Sequence, residues 1–230
     1  MLKLGATEIL ADYGISSTSD QIPQEIIHEG KRCFINFLAV SLYASRDPSL
    51  DILLDVFKLE GGKQQSSIAG VRARTTIQNA ALANGYLGHL EDYDDTHFPT
   101  VIHPSAPTIP AAMAMGERLN ATGLDVLIAT VLGVEVCCRI GLSVHPHHYD
   151  AGWHITGTCG VFGSVVATGR LLGLDEGQMV NALGIAGTQA AGVRETFGSM
   201  SKPFHAGRSA QSGLLAGLLA VRGFTSTSTI

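Results

Sequence analysis

From Gln21 to Val221 the apolar residues of this chain recur at helical rather than strand spacing, and that periodicity limits the fold more than anything else in it. Gln21-Ile22-Pro23 opens a segment in which Ile27, Phe34 and Leu38 recur at steps of seven and four; it runs to about Tyr43, where Ser45-Arg46-Asp47-Pro48 breaks it. A short helix is predicted over Asp51 to Leu59, ended by Gly61-Gly62, and another over Thr75 to Leu90. One more begins near Ile109. Further helices follow over Gly123 to Leu142, Ile155 to Leu172, Glu176 to Val193 and His205 to Val221. The best strand candidate, a weak one, is the piece around Ser66 to Val71. The fold class is therefore all-α: residues 1–230 as a single multi-helix domain, expected to be incomplete because nothing after Arg222-Gly-Phe224 and its Ser/Thr run would cover the last helix.

Glycine makes that reading more specific. Of 27 glycines, 21 lie beyond Ala81, many inside helical patterns where each costs about 1 kcal/mol relative to alanine. Such a cost is tolerable where the missing side chain lets helix backbones approach closely. The second half is thus expected to be a tightly packed helical core.

Composition narrows the function classes. Hydrophobic residues make up 45% and charged residues 15%, which rules out disorder, and a net charge of −5 gives no reason to expect nucleic acid as a partner. Cys33, Cys137, Cys138 and Cys159 are too few and too irregular for a disulfide framework or a paired zinc site; buried reduced thiols are expected. Glu8 and Asp12 interrupt the N-terminal stretch where a leader needs an unbroken apolar run, so the expected location is cytoplasmic. Ala151 to Gly169 lacks Asp, Glu, Lys and Arg, but its His154, threonines and glycines point to a buried helix and to no membrane partner.

Three loop-to-helix junctions share one chemical grammar. His103 precedes Pro104, with Ser105 and Thr108 as possible caps of the next helix. His154 follows Gly152-Trp153 and opens a helix that Thr156 or Thr158 could cap, and Lys202 precedes Pro203 beside Ser201. Each junction joins a proton donor or cation to free backbone N–H groups at the positive end of a helix, a setting that suits carboxylates or phosphates.

The opposite sign appears in Glu91-Asp92-Tyr93-Asp94-Asp95-Thr96-His97. This run reads as a solvated helix end, as a Mg²⁺ site against a diphosphate, or as the source of a carboxylate that orients His103 for acid/base catalysis. No facing acidic cluster exists to complete a Mg²⁺ cage, so the last reading is preferred to the second. His145-Pro-His147-His148 resembles a metal patch but crowds one proline-broken loop, and no metal is expected there.

Gly88-His89-Leu90-Glu91-Asp92-Tyr93-Asp94-Asp95-Thr96-His97, His103-Pro-Ser105, Gly152-Trp-His154, Gly184-Ile-Ala-Gly187 and Gly198-Ser-Met-Ser-Lys202-Pro-Phe-His205-Ala-Gly-Arg208 together resemble the MmgE/PrpD family, over almost the whole chain and in the family's order. The resemblance implies a large all-α domain joined to a smaller α/β lid, which this chain is expected to lack, usually as a homodimer, with a cofactor-free, metal-independent site between the two domains. It further implies Asp92, His103, His154 and Lys202 as catalytic residues and Thr96 as substrate-binding. The substrates would be small di- and tricarboxylates. In the lyase so implied, a dehydratase or decarboxylase, His103 moves the proton, Asp92 holds His103, and Lys202 and His154 stabilise charge. The competing reading is an inactive helical fragment that acts by associating with a partner chain.

Overall fold

The computed structural model describes residues 5–230; the first four, part of the stretch read for a leader, lie outside it. Among the described residues are ten α-helices: α1 (Ala6–Ser16), α2 (Gln24–Ala44), α3 (Ser49–Glu60), α4 (Ile77–Leu90), α5 (Ser105–Leu119), α6 (Gly123–Val144), α7 (His147–Asp150), α8 (Ile155–Leu172), α9 (Glu176–Gly187) and α10 (Ser201–Ala220). The Ser66 to Val71 piece yields only a two-residue strand, β1 (Ser66–Ser67), paired antiparallel with β2 (Arg74–Thr75). The chain is all-α.

α10 packs most extensively against α8 and α4, with α5 closing this central group; α6 lies on α8, and α1 and α9 pack together beside it. Glycine sets how close these helices come. A Cβ at Gly85 on α4 would stand 2.7 Å from the Cα of Gly207 on α10, and one at Gly207 would collide with the Leu82 carbonyl. At the α6–α8 crossing, a Cβ at Gly133 would stand 2.5 Å from the Gly163 carbonyl oxygen. The glycines expected to permit close approach sit where backbones touch.

The departures from the expected boundaries have local causes. α1 escapes a search for large apolar residues because its buried face is Thr7, Ala11 and Gly14. α9 stops at Gly187 instead of running to Val193, because the chain turns through Gly192 (φ 130°) so that Val193 can pair with Trp153. α10 begins at Ser201, before His205, with Pro203 tolerated in the first turn, where its missing N–H would have no partner. Its last turns are partly covered: Leu214, Ala216 and Ala220 are buried, whereas Val221 and Phe224 at its end are exposed. Beyond it, the N–H of Ser226 donates to Asn181 and that of Ile230 to Thr7, laying the tail along α9 and α1.

Two helices, α6 and α8, are long and apolar enough to cross a membrane by length and composition, although only the second coincides with the segment singled out in the sequence. The apolar window of α8 is 83% buried inside the fold, as a core helix requires, and that of α6 is 56% buried. All four cysteines are unpaired. Burial pushes the thiols of Cys33 and Cys159 up to about 11 and that of Cys138 to about 12.

Candidate active site

The site forms where the start of α5, the start of α8 and the first turn of α10 meet the end of α4. α4 is capped at Thr76, whose hydroxyl accepts from the Asn79 N–H, and it ends at Leu90 with His89 in its last turn. Two residues on, Asp92 adopts a left-handed backbone (φ 55°), which aspartate tolerates better than most side chains do. That reversal leaves Asp92 facing solvent while Asp94 is buried against His89. The stretch is not the uniformly solvated helix end that its composition allows.

Asp94 is the hub. Its carboxylate oxygens stand 3.1 and 2.9 Å from Nδ1 of His89, and Oδ1 stands 3.2 Å from Nδ1 of His103. The Asp92 carboxylate, to which the sequence reading gave the orienting role, is 3.8 Å from His103 Nε2 and instead holds Lys202 Nζ at 2.6 Å. Asp94 therefore makes the closer contact with His103. Sequence reasoning missed this because the acidic run offers four carboxylates, and only the turn at Asp92 decides which points inward.

His154 is the N-cap of α8, held by its backbone N–H on the Gly192 carbonyl at 3.0 Å. Its ring stacks on His89 at 5.5 Å and shares a 2.9 Å contact, Nδ1 to Nδ1, with His205. His103 and His89 are 4.7 Å apart, so four imidazoles, His103, His89, His154 and His205, form a continuous array. Lys202 Nζ lies 5.2 Å from the Phe197 ring, within reach of a cation–π contact.

The expected helix caps are not made. Neither α5 nor α8 has a side-chain cap. Ser105 donates to Asp95 at 2.7 Å, and Thr156 accepts the backbone N–H of His103 at 3.1 Å, tying the two junctions together. Thr158 contacts His148 Nε2 at 2.8 Å. Thr96 is placed 3.5 Å from His103 Nδ1, at the limit of a hydrogen bond.

The electrostatics differ along the array. Burial resists ionisation of Asp94, but His89 and His103 more than offset it and hold the carboxyl well below its ordinary range. Burial likewise opposes charge on His103, yet Asp94 and then Asp92 raise its pKa above the usual imidazole value. Burial, reinforced by the neighbouring imidazoles and Lys202, pushes His154 down to about 2. Burial and then His89 lower His205. For Asp92, burial raises and Lys202 lowers, with a net shift downward. The site therefore pairs a histidine that favours its proton with one that refuses it, both beside a lysine.

Ligand atoms of His89, Asp92, Asp94 and His103 lie within 4.8 Å of one another, a set that could hold a metal ion. Here the Lys202 ammonium already lies against Asp92, and the two Nδ1 atoms already meet Asp94. His145, His147 and His148 do not join any such group among the described residues; His148 instead stacks on Trp153 at 5.7 Å.

Residues 8–230 match the family model for the MmgE/PrpD N-terminal domain. The chain is 29% identical over 229 residues to a cis-aconitate decarboxylase of Aspergillus terreus (strain NIH 2624 / FGSC A1156), covering 96% of this chain and 47% of that protein. It is 28% identical over 230 residues to a cis-aconitate decarboxylase-like protein, oryM, of Aspergillus oryzae (strain ATCC 42149 / RIB 40), covering 95% and 47%. With the cis-aconitate decarboxylase of Homo sapiens it shares 28% over 210 residues, 88% of this chain and 43% of the relative. The chain thus spans about half the length of the curated relatives it matches.

Proposed function

The chain belongs to the MmgE/PrpD family, and on that premise we propose that it carries the acid/base side of a lyase site for a small di- or tricarboxylate, working as a decarboxylase or dehydratase without a metal. The observation that supports this most is His103, held from below by Asp94 and facing the Asp92–Lys202 pair, at the meeting point of three helix starts. The relatives named for cis-aconitate make that compound the first candidate substrate.

In the decarboxylation, the bond from carbon to the departing carboxylate breaks and its electron pair stays on the carbon skeleton, delocalised toward a remaining carboxylate. His103 then gives its proton to that carbon. In the dehydration, a base takes the proton alpha to a carboxylate and the hydroxyl leaves as water once protonated. Both routes build anionic charge that Lys202 and the N–H groups opening α8 and α10 stabilise, worth several kcal/mol when such donors are preorganised (about 3 kcal/mol for one donor). Neutral His154 donates or accepts a hydrogen bond without competing for the proton. Asp92 sets the position of Lys202, and Thr96 hydrogen-bonds the substrate. A homodimer in the cytoplasm is part of the same reading.

NMR of the chain incubated with cis-aconitate, citrate and 2-methylcitrate tests the proposal: loss of one of these, with release of CO₂ or water, is expected. Absence of turnover of all three favours the second reading, a helical unit that acts by associating with a partner chain.

A further inference from the structure

We propose that Asp94, steadied by His89, is the positioning residue for His103: it fixes the His103 proton on Nδ1 and leaves Nε2 as the nitrogen that exchanges a proton with substrate. The identity of the reacting nitrogen rests on the lyase reading; the tautomer does not.

The argument begins with donors and acceptors. An ionised carboxylate only accepts hydrogen bonds, so each imidazole nitrogen against Asp94 must carry the hydrogen. Those nitrogens are Nδ1 of His89 and Nδ1 of His103. The Asp94 side chain is fully buried, so no water competes for its oxygens.

His89 has no alternative. Its Nε2 is buried without a hydrogen-bond partner, and a proton placed there would be an orphaned donor, cut off from water and left unpaired. The proton therefore sits on Nδ1, donated to Asp94. The His89 ring is confined between His103 at 4.7 Å and His154 at 5.5 Å, and it is anchored on α4, the helix locked to α10 through Gly85 and Gly207. Asp94 thus receives one fixed donor and presents its carboxylate to the second ring.

On His103 the opposite nitrogen is free. Nε2 is 3.8 Å from Asp92 Oδ1, too far for a hydrogen bond, and that oxygen already binds Lys202 at 2.6 Å. The His103 side chain keeps 15% of its surface exposed and Lys202 18%, so a ligand can reach both. The arrangement is a carboxylate behind a histidine, with the active nitrogen turned outward.

Imidazole ¹⁵N shifts of the 230-residue chain, recorded above the titration of His103, read the tautomers directly. Both His89 and His103 should be Nδ1–H. Asp94→Asn offers one acceptor oxygen instead of two, so one of the two rings should move to Nε2–H. His89→Phe keeps the stacked ring and leaves His103 as the one imidazole donor to Asp94, so His103 should stay Nδ1–H. An Nε2–H His103 in the unaltered protein or in His89→Phe, or both rings still Nδ1–H in Asp94→Asn, overturns the proposal. If circular dichroism shows Asp94→Asn unfolded, the unaltered protein and His89→Phe carry the test, since an Nε2–H His103 in either overturns it.

Turnover separates this idea from the function on which its second half rests. With any active carboxylate, Asp94→Asn should lower kcat about 10²-fold with little change in KM, as misplacement of a reacting group does. Full kcat in a folded Asp94→Asn removes the positioning role and leaves the lyase reading standing. No turnover by the unaltered protein removes the lyase reading, and with it the claim about Nε2, while the ¹⁵N result still decides the tautomer.

Discussion

Lys202 and Asp92 meet at 2.6 Å although one lies in the first turn of α10 and the other just beyond the end of α4. This pair is what holds Asp92 in its ionised form. Because its folded pKa is lowered, Asp92 favours folding fully above the ordinary carboxylate value, about 3.9, and that contribution is lost as pH falls through the folded value. In Lys202→Met the Asp92 carboxyl should titrate higher, measured by ¹³C NMR of the side chain. Binding of a dicarboxylate should also weaken, roughly tenfold or more, since a charge-assisted hydrogen bond is worth about 1.5–3 kcal/mol. An unchanged Asp92 titration removes Lys202 as its partner.

The two perturbed histidines should pull stability in opposite directions. His103 has a raised pKa, so its contribution is complete below the ordinary imidazole value, about 6.5, and is lost as pH rises through the folded value. His154 is depressed to about 2, so it stabilises the fold above about 6.5, and that stability erodes as pH drops below it, because unfolding lets the ring take up a proton. Thermal unfolding across this range should show acid destabilisation that begins well above the carboxylate range, and His154→Phe should flatten that limb. A limb of equal slope in the variant would mean that another group causes it.

Replacing His103 by alanine tests the proton donor. Turnover should fall roughly 10²–10⁴-fold while the helical circular dichroism is retained. Full activity would move the proton chemistry to another residue.

Backbone contact at the helix crossings predicts a sharp contrast between two glycines. Gly207→Ala places a methyl against the Leu82 carbonyl and should cost about 1–3 kcal/mol, with a clear fall in Tm. Gly123→Ala, in the open first turn of α6, meets nothing within 4 Å and should be neutral or stabilising by about 0.4–1 kcal/mol. Equal melting temperatures for the two variants would show that α4 and α10 can separate without loss.

The proposed chemistry requires no metal, although four metal-capable side chains converge. Dialysis against a chelator should leave turnover intact, and diphosphates should not be consumed. Activity lost on chelation and restored by a divalent ion would reassign Asp92 and Asp94 as ligands.

Most of the architecture was legible in the sequence because long helices with a buried apolar face carry a periodic signal; Ile155 to Leu172 is placed to the residue. The signal failed where the buried face is small, as at Thr7, Ala11 and Gly14, and where a single glycine turn overrides the pattern, as at Gly192. At the site, the residues beside proline or opening a helix could be found from local chemistry. Asp94, His89 and His205 could not be ranked above their neighbours, since their importance comes from which side chains face each other across separate helices. A motif shows which groups are available; the left-handed turn at Asp92 decides which of them are buried.

That burial also sorts the protons of the site by how fast they can leave. Asp94 and His89 have no side-chain surface open to solvent, whereas Asp92 is 54% exposed and Lys202 lies beside it. A proton on His103 Nε2 or on Lys202 exchanges directly with water. Those shared by Asp94 with the two Nδ1 atoms have no direct exit and must wait for His103 to swing outward. Deuterium entering from solvent would therefore label the outer half of the site first and the carboxylate-bound pair last, so that the order of labelling is itself a record of how often the imidazole lets go.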